Sequence, residues 1–185
     1  MRACYALSML RRHVLIALTA LPLTAAAADP AAPVRVFVAG APGRDAAQIE
    51  RLVGETFDLD ALASAALGAA PASPEQRRRL GRVIARRIAV ETVARGDRNA
   101  QTVVARTKPI GAGQWLITTQ TPRRNMEPLL LTWRVSDAGG ALKIIDVLRD
   151  GTSSIGVQRR EIATALRRQT LDAVITAMEQ RYGGA

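Results

Sequence analysis

Hydrophobic residues change their spacing twice along the chain. From Asp45 to Gly96 they recur at helical intervals, from Gln101 to Leu148 they alternate, and from Ser153 onward the helical interval returns. Asp45 and Gln48 make an approximate capping box before a helix that buries Ile49, Leu52 and Val53 and reaches Phe57. Asp58 caps a second short helix carrying Leu59, Leu62, Ala66 and Leu67, with Gly68 at its C′ position. Ser73-Pro74-Glu75-Gln76 is the clearest start signal. The helix it opens places Leu80, Val83, Ile84 and Ile88 on one side and Arg77, Arg78, Arg79, Arg82, Arg86 and Arg87 on the other, and Gly96 ends it.

Alternation then predicts strands over 101–107, 114–121, 129–135 and 142–148, with turns at 111–113 and 136–140. Connections this short force antiparallel pairing. In the third strand Leu129, Leu131, Trp133 and Val135 share one face, and Leu130, Thr132 and Arg134 the other. Ser153 or Ser154 caps a helix with Ile155, Ile162, Ala165 and Leu166; Thr170 caps a last one with Leu171, Val174, Ile175 and Met178. The fold class is therefore α+β: a twisted antiparallel sheet of about four strands packed with N- and C-terminal helices in one domain. Asp29 to Gly43 is rich in Ala, Pro and Gly, and its only patterned stretch is a β-like patch from Val34 to Val38.

The first residues read differently. Arg2, Arg11, Arg12 and His13 precede the apolar run Val14 to Leu21, and Ala25 to Ala28 stand before Asp29-Pro30. This is the layout of a secretory signal peptide over residues 1–28, cleaved near Ala28. The apolar run is too short to span about 30 Å of hydrocarbon. Cleavage removes Cys4, His13, Arg2, Arg11 and Arg12, leaving 23 basic and 16 acidic residues, a net charge of +7, and neither Cys nor His. Thiol and imidazole nucleophiles, the Ser-His-Asp arrangement and essentially every zinc site are thereby excluded. The expected product is an exported protein of 157 residues in the periplasm, 29–185, with no metal and no cofactor. Hydrophobic residues at 48% exclude disorder, while 3% aromatics is thin for a core. Export, and basic residues with no interleaved aromatics, argue against a nucleic-acid partner.

Several of these features occur in a telling order. Phe57-Asp58 and Leu67-Gly68 precede the capped helix at Pro74-Glu75-Gln76-Arg77; a hairpin follows, then Leu142 to Val147, Gly151-Thr152-Ser153, the Arg159-Arg160-Glu161-Ile162 helix and a terminal helix with Leu171 and Ile175. Over roughly Ile49 to Tyr182 the chain resembles the MlaC/toluene-tolerance family of periplasmic phospholipid-binding proteins, with the hopanoid-associated HpnM proteins nearby. It departs from the family pattern in a first helix interrupted by Pro33, Gly40, Pro42 and Gly43, and in Leu80 and Leu142 where aromatics are usual.

The resemblance implies a sheet and helices that diverge around an apolar slot for acyl chains. It implies a carrier without catalysis, shuttling phospholipid between an outer-membrane lipoprotein complex and an inner-membrane ABC transporter complex. Candidate walls are Leu129, Leu131, Trp133 and Val135, extended by Ile145 and Val147, with Leu62, Leu67, Ile84, Ile88 and Ile155 from the helices. Each of these also reads as ordinary core. Thr152 and Ser153 would either meet a headgroup or cap a helix. Asp146, placed by alternation with Leu142, Ile144 and Leu148, keeps open a small exported enzyme of cone-like fold. A ligand-free exported adaptor is the third reading.

Overall fold

The computed structural model describes residues 28–95, 101–137 and 140–183. Four helices come first: α1 (Ala32–Gly40), α2 (Ala46–Thr56), α3 (Leu59–Leu67) and α4 (Pro74–Arg95). The strands β1 (Val103–Gly111), β2 (Gln114–Arg123), β3 (Met126–Asp137), β4 (Leu142–Arg149) and β5 (Thr152–Ser153) follow, and then α5 (Ser154–Ala165) and α6 (Leu171–Gly183). The strands lie in chain order with every neighbouring pair antiparallel. The α+β architecture is as the patterning predicts, with β5 as a two-residue addition too short to carry a period. The expected leader falls outside the described residues, apart from Ala28 at its end.

Local chemistry explains the boundaries. Asp45 and Gln48 exchange side-chain-to-backbone hydrogen bonds at 2.8 and 3.1 Å, and Ser73 and Gln76 do the same at 3.1 and 2.8 Å. Asp58, Ser153 and Thr170 each accept from the backbone amide three residues on. Gly68 ends α3 at φ +61°, and a Cβ there would lie 2.5 Å from the Arg159 side chain. The positive φ favours glycine, and a side chain there would also displace the Arg159 guanidinium.

The patch Val34 to Val38 is corrected from β-like to helical. It forms α1, with Pro33 in the first turn and Val34 and Phe37 buried while Arg35 and Val36 are exposed. Packing of Phe37 outweighs the weak helix propensity of the valines. The Pro42-Gly43 break does separate α1 from α2, with Gly43 at φ +74°.

Cross-strand partners project to the same side of a sheet. Register pairs Trp115 with Val135, Ile117 with Trp133, Thr119 with Leu131 and Thr121 with Leu129. This face receives Val34, Phe37, Ile49, Leu52, Val53, Leu80 and Ile84 to form the core. In β4 a bulge corrects the simple alternation: Ile144 lies opposite Val135 and Asp146 opposite Arg134, so Ile145 has no partner. Ile144 and Val147 therefore share the core face, whereas Asp146 does not lie on it with Ile144. Phe57 runs parallel to β4 at Ile144, where the Asp58 amide donates to the Ile144 carbonyl at 3.0 Å.

The arginine face of α4 is largely internal in its pairing. Arg79 reaches Glu179 at 2.8 Å and Asp172 at 3.2 Å on α6. Arg86 reaches Glu50 of α2 at 3.2 Å, and Arg87 binds Glu91 at 2.7 Å and Glu161 of α5 at 3.1 Å. These pairs orient three helices around α4.

Candidate functional site

The core does not fill the space between sheet and helices. A cavity of about 860 Å³, open at one end, lies between the inner face of β2–β4, the C-terminal half of α4 and the first turns of α5. Its size falls in the range of small-molecule sites, roughly 300–1,000 Å³.

Three of the chain's six aromatic residues meet at this cavity. Phe37 stands edge-on to Phe57, with centroids 5.2 Å apart at 80°, and Trp133 lies 5.6 Å from Phe37 and 6.4 Å from Phe57. Leu62, Ile49 and Ile84 border the cavity beside them. Pro42 to Asp45 of the α1–α2 junction and Val93 to Arg95 of α4 line the cavity and are exposed, so they form its solvent-facing rim, and Thr102, Thr121 and Leu129 also line it. Arg44 and Arg95 bring positive charge to that rim, with Asp45 and Glu91 among them.

Most of the buried polar side chains lining the wall bind one another. The indole N–H of Trp133 donates to the Thr119 hydroxyl at 2.8 Å, and Thr102 and Thr121 share a hydrogen bond of 2.8 Å. Asp146 accepts from the amides of Val147 (2.8 Å) and Ile155 (3.3 Å) and from the Ser153 hydroxyl (2.6 Å). Both its oxygens thus fix the start of α5. Among the described residues no group of three or more His, Cys, Asp or Glu is placed to hold a metal.

The sequence candidates divide by position. Leu62, Ile84, Ile88, Leu129, Leu131, Trp133, Val147 and Ile155 all border the cavity. Leu67 and Val135 are buried in packed core away from it. Ile145 is displaced by the β4 bulge. Thr152 is exposed in β5, and Ser153 caps α5 while bordering a separate surface hollow with Arg134 and Arg159. Sequence reasoning did not single out Phe37, Thr119, Gln158 or the Val90–Arg95 turn as lining residues. The Thr119 position follows once its register against Leu131 is known; Gln158 had no sequence signal beyond helical spacing from Ile155 and Ile162.

A family model described as MlaC protein matches residues 39–180. The chain belongs to the MlaC family. The matched span takes in α2 through nearly all of α6, so every cavity-lining residue apart from Phe37 and Val38 of α1 lies within the MlaC portion. Among solved structures this MlaC chain is similar to a phospholipid-binding protein from Ralstonia solanacearum, determined in complex with a phospholipid at 1.53 Å resolution. The two share 17% identity at a TM-score of 0.68, over 85% of this chain and 98% of the other, which establishes a common fold. No curated protein matches the chain.

Proposed function

We propose that the protein is an exported phospholipid carrier whose cavity holds the acyl chains while the headgroup stays at the Arg44–Arg95 rim. The observation that carries this reading is the apolar, open-ended volume of about 860 Å³ built around Trp133, Phe37 and Phe57 in an MlaC-family fold. The Ralstonia solanacearum structure, described as a phospholipid complex, lends it support. Burying a methylene from water is favourable by about 0.8 kcal/mol, so two acyl chains of ordinary length gain more than roughly 20 kcal/mol before ordering. A dry wall with few unpaired polar groups suits such cargo, and non-directional apolar contact allows release at a second membrane.

In this reading the leader directs the chain to the periplasm. There it exchanges lipid with an inner-membrane ABC transporter complex and an outer-membrane lipoprotein complex. The protein moves its ligand rather than transforming it; Asp146 serves the α5 cap. Native mass spectrometry of the protein purified from its own host tests the proposal. A bound mass matching a phospholipid supports it, and a protein that arrives without lipid and takes none up from vesicles contradicts it.

A further inference from the structure

One polar side chain on α5 points inward. Ile155, Gln158 and Ile162 follow at helical spacing, and Gln158 and Ile162 are 4% and 2% exposed while Arg159 and Arg160 beside them are exposed. A buried donor normally has an acceptor. The Nε2 of Gln158 has none among the described residues, yet the residue borders the cavity. The other buried polar side chains there are engaged: Thr119 with Trp133, Thr121 with Thr102, and Asp146 with Ser153.

The neighbours of Gln158 narrow the class of acceptor. Glu161, three residues further along α5, is bound by Arg87, and Arg87 and Glu91 also border the cavity. Along α4 that level lies between buried Ile84 and rim residue Arg95. A glycerophospholipid carries its ester carbonyls at the same transition, where polar headgroup gives way to hydrocarbon. Those carbonyls accept and never donate, which matches an amide N–H.

We infer that Gln158 donates from Nε2 to an ester carbonyl of the bound lipid, and so selects acyl-ester lipids over ether-linked ones of equal chain length. The inference rests on the carrier reading above. A neutral hydrogen bond of this kind corresponds to about a 3- to 10-fold preference.

The test is displacement of a pyrene-labelled phosphatidylglycerol by diacyl or by dialkyl phosphatidylglycerol of matched chain length, with the melting temperature of the lipid-free protein as a second readout. The wild-type protein is expected to prefer the diacyl lipid by that factor. Gln158→Leu is expected to lose the preference and to melt no lower. Equal affinities in the wild type overturn the inference. So does a preference that survives in Gln158→Leu, with or without a lowered melting temperature, since that result confines Gln158 to a structural role. Failure of either lipid to displace or bind would remove the carrier reading itself, a distinct outcome.

Discussion

Trp133 on β3 donates its indole N–H to the hydroxyl of Thr119 on β2 at 2.8 Å, and both residues face the cavity. Thr119, 1% exposed, thus satisfies the one polar group of the ring and leaves its apolar body to the wall. Thr119 in turn donates to the Leu131 carbonyl at 3.4 Å, so the pair is tied to the sheet backbone.

Thr119→Val removes the acceptor and keeps the shape. The indole N–H is then buried without a partner, and unfolding free energy is expected to fall by about 1–3 kcal/mol. Thr119→Ser, which retains the hydroxyl, should recover most of the loss. Urea unfolding of the two variants checks this; equal stability of Thr119→Val and wild type would contradict it.

Filling the cavity separates ligand space from fold. Ile88 borders the cavity and is only partly buried, whereas Val36 on α1 is 52% exposed. Ile88→Trp is expected to reduce co-purified lipid severalfold without lowering the melting temperature. Val36→Trp should change neither. Full lipid loading in Ile88→Trp would place the lipid elsewhere.

Asp146 and Ser153 form one cap. Ser153→Ala removes both the acceptor for the Gly156 amide and the donor to Asp146, and a loss of about 1 kcal/mol is expected from the cap alone. Asp146→Asn is expected to leave lipid binding largely intact. Loss of binding in Asp146→Asn with a native circular dichroism spectrum would instead give the carboxylate a ligand-facing role.

Glu179 and Arg79 give a pH dependence of known sign. Hydrogen bonding from Arg79 holds the Glu179 carboxyl below its ordinary value of 4.5, and the partner Arg79 is correspondingly raised. A lowered carboxylate pKa stabilises the fold above the ordinary value, and this contribution disappears as pH falls through the lowered one. The melting temperature of wild type should therefore exceed that of Glu179→Gln at pH 7, and the gap should close in acid. High salt should narrow it, because both side chains are partly exposed. A gap independent of pH would contradict the assignment.

Much of this fold was legible in sequence because its start signals are side-chain chemistry. Asp45, Asp58, Ser73, Ser153 and Thr170 each cap a helix through a local hydrogen bond that needs no tertiary partner. The α1 region was not legible: the valines of Val34 to Val38 make a β-like patch, and the long-range contact of Phe37 with Phe57 and Trp133 favours a helix instead. Likewise the bulge at Ile145 follows from pairing with β3, so periodicity alone put Ile145 beside Val147 and Asp146 beside Ile144. The ion pairs of Arg79 and Arg86 were not legible because their acidic partners lie on α6 and α2, distant in sequence. Burial shows Leu67 and Val135 to be packing, while Leu131 and Trp133 on the same strand as Val135 line open space. No period distinguishes a residue that faces a neighbour from one that faces a void.

The most direct measurement uses Trp133 as the reporter. The chain has two tryptophans, and Trp115→Phe leaves Trp133, which borders the cavity, as the sole emitter. Loading this variant with a phospholipid brominated in mid-chain is expected to quench its fluorescence strongly, while the unbrominated lipid does not. Stoichiometric lipid that stays with the protein yet leaves Trp133 unquenched would contradict acyl-chain binding in this cavity.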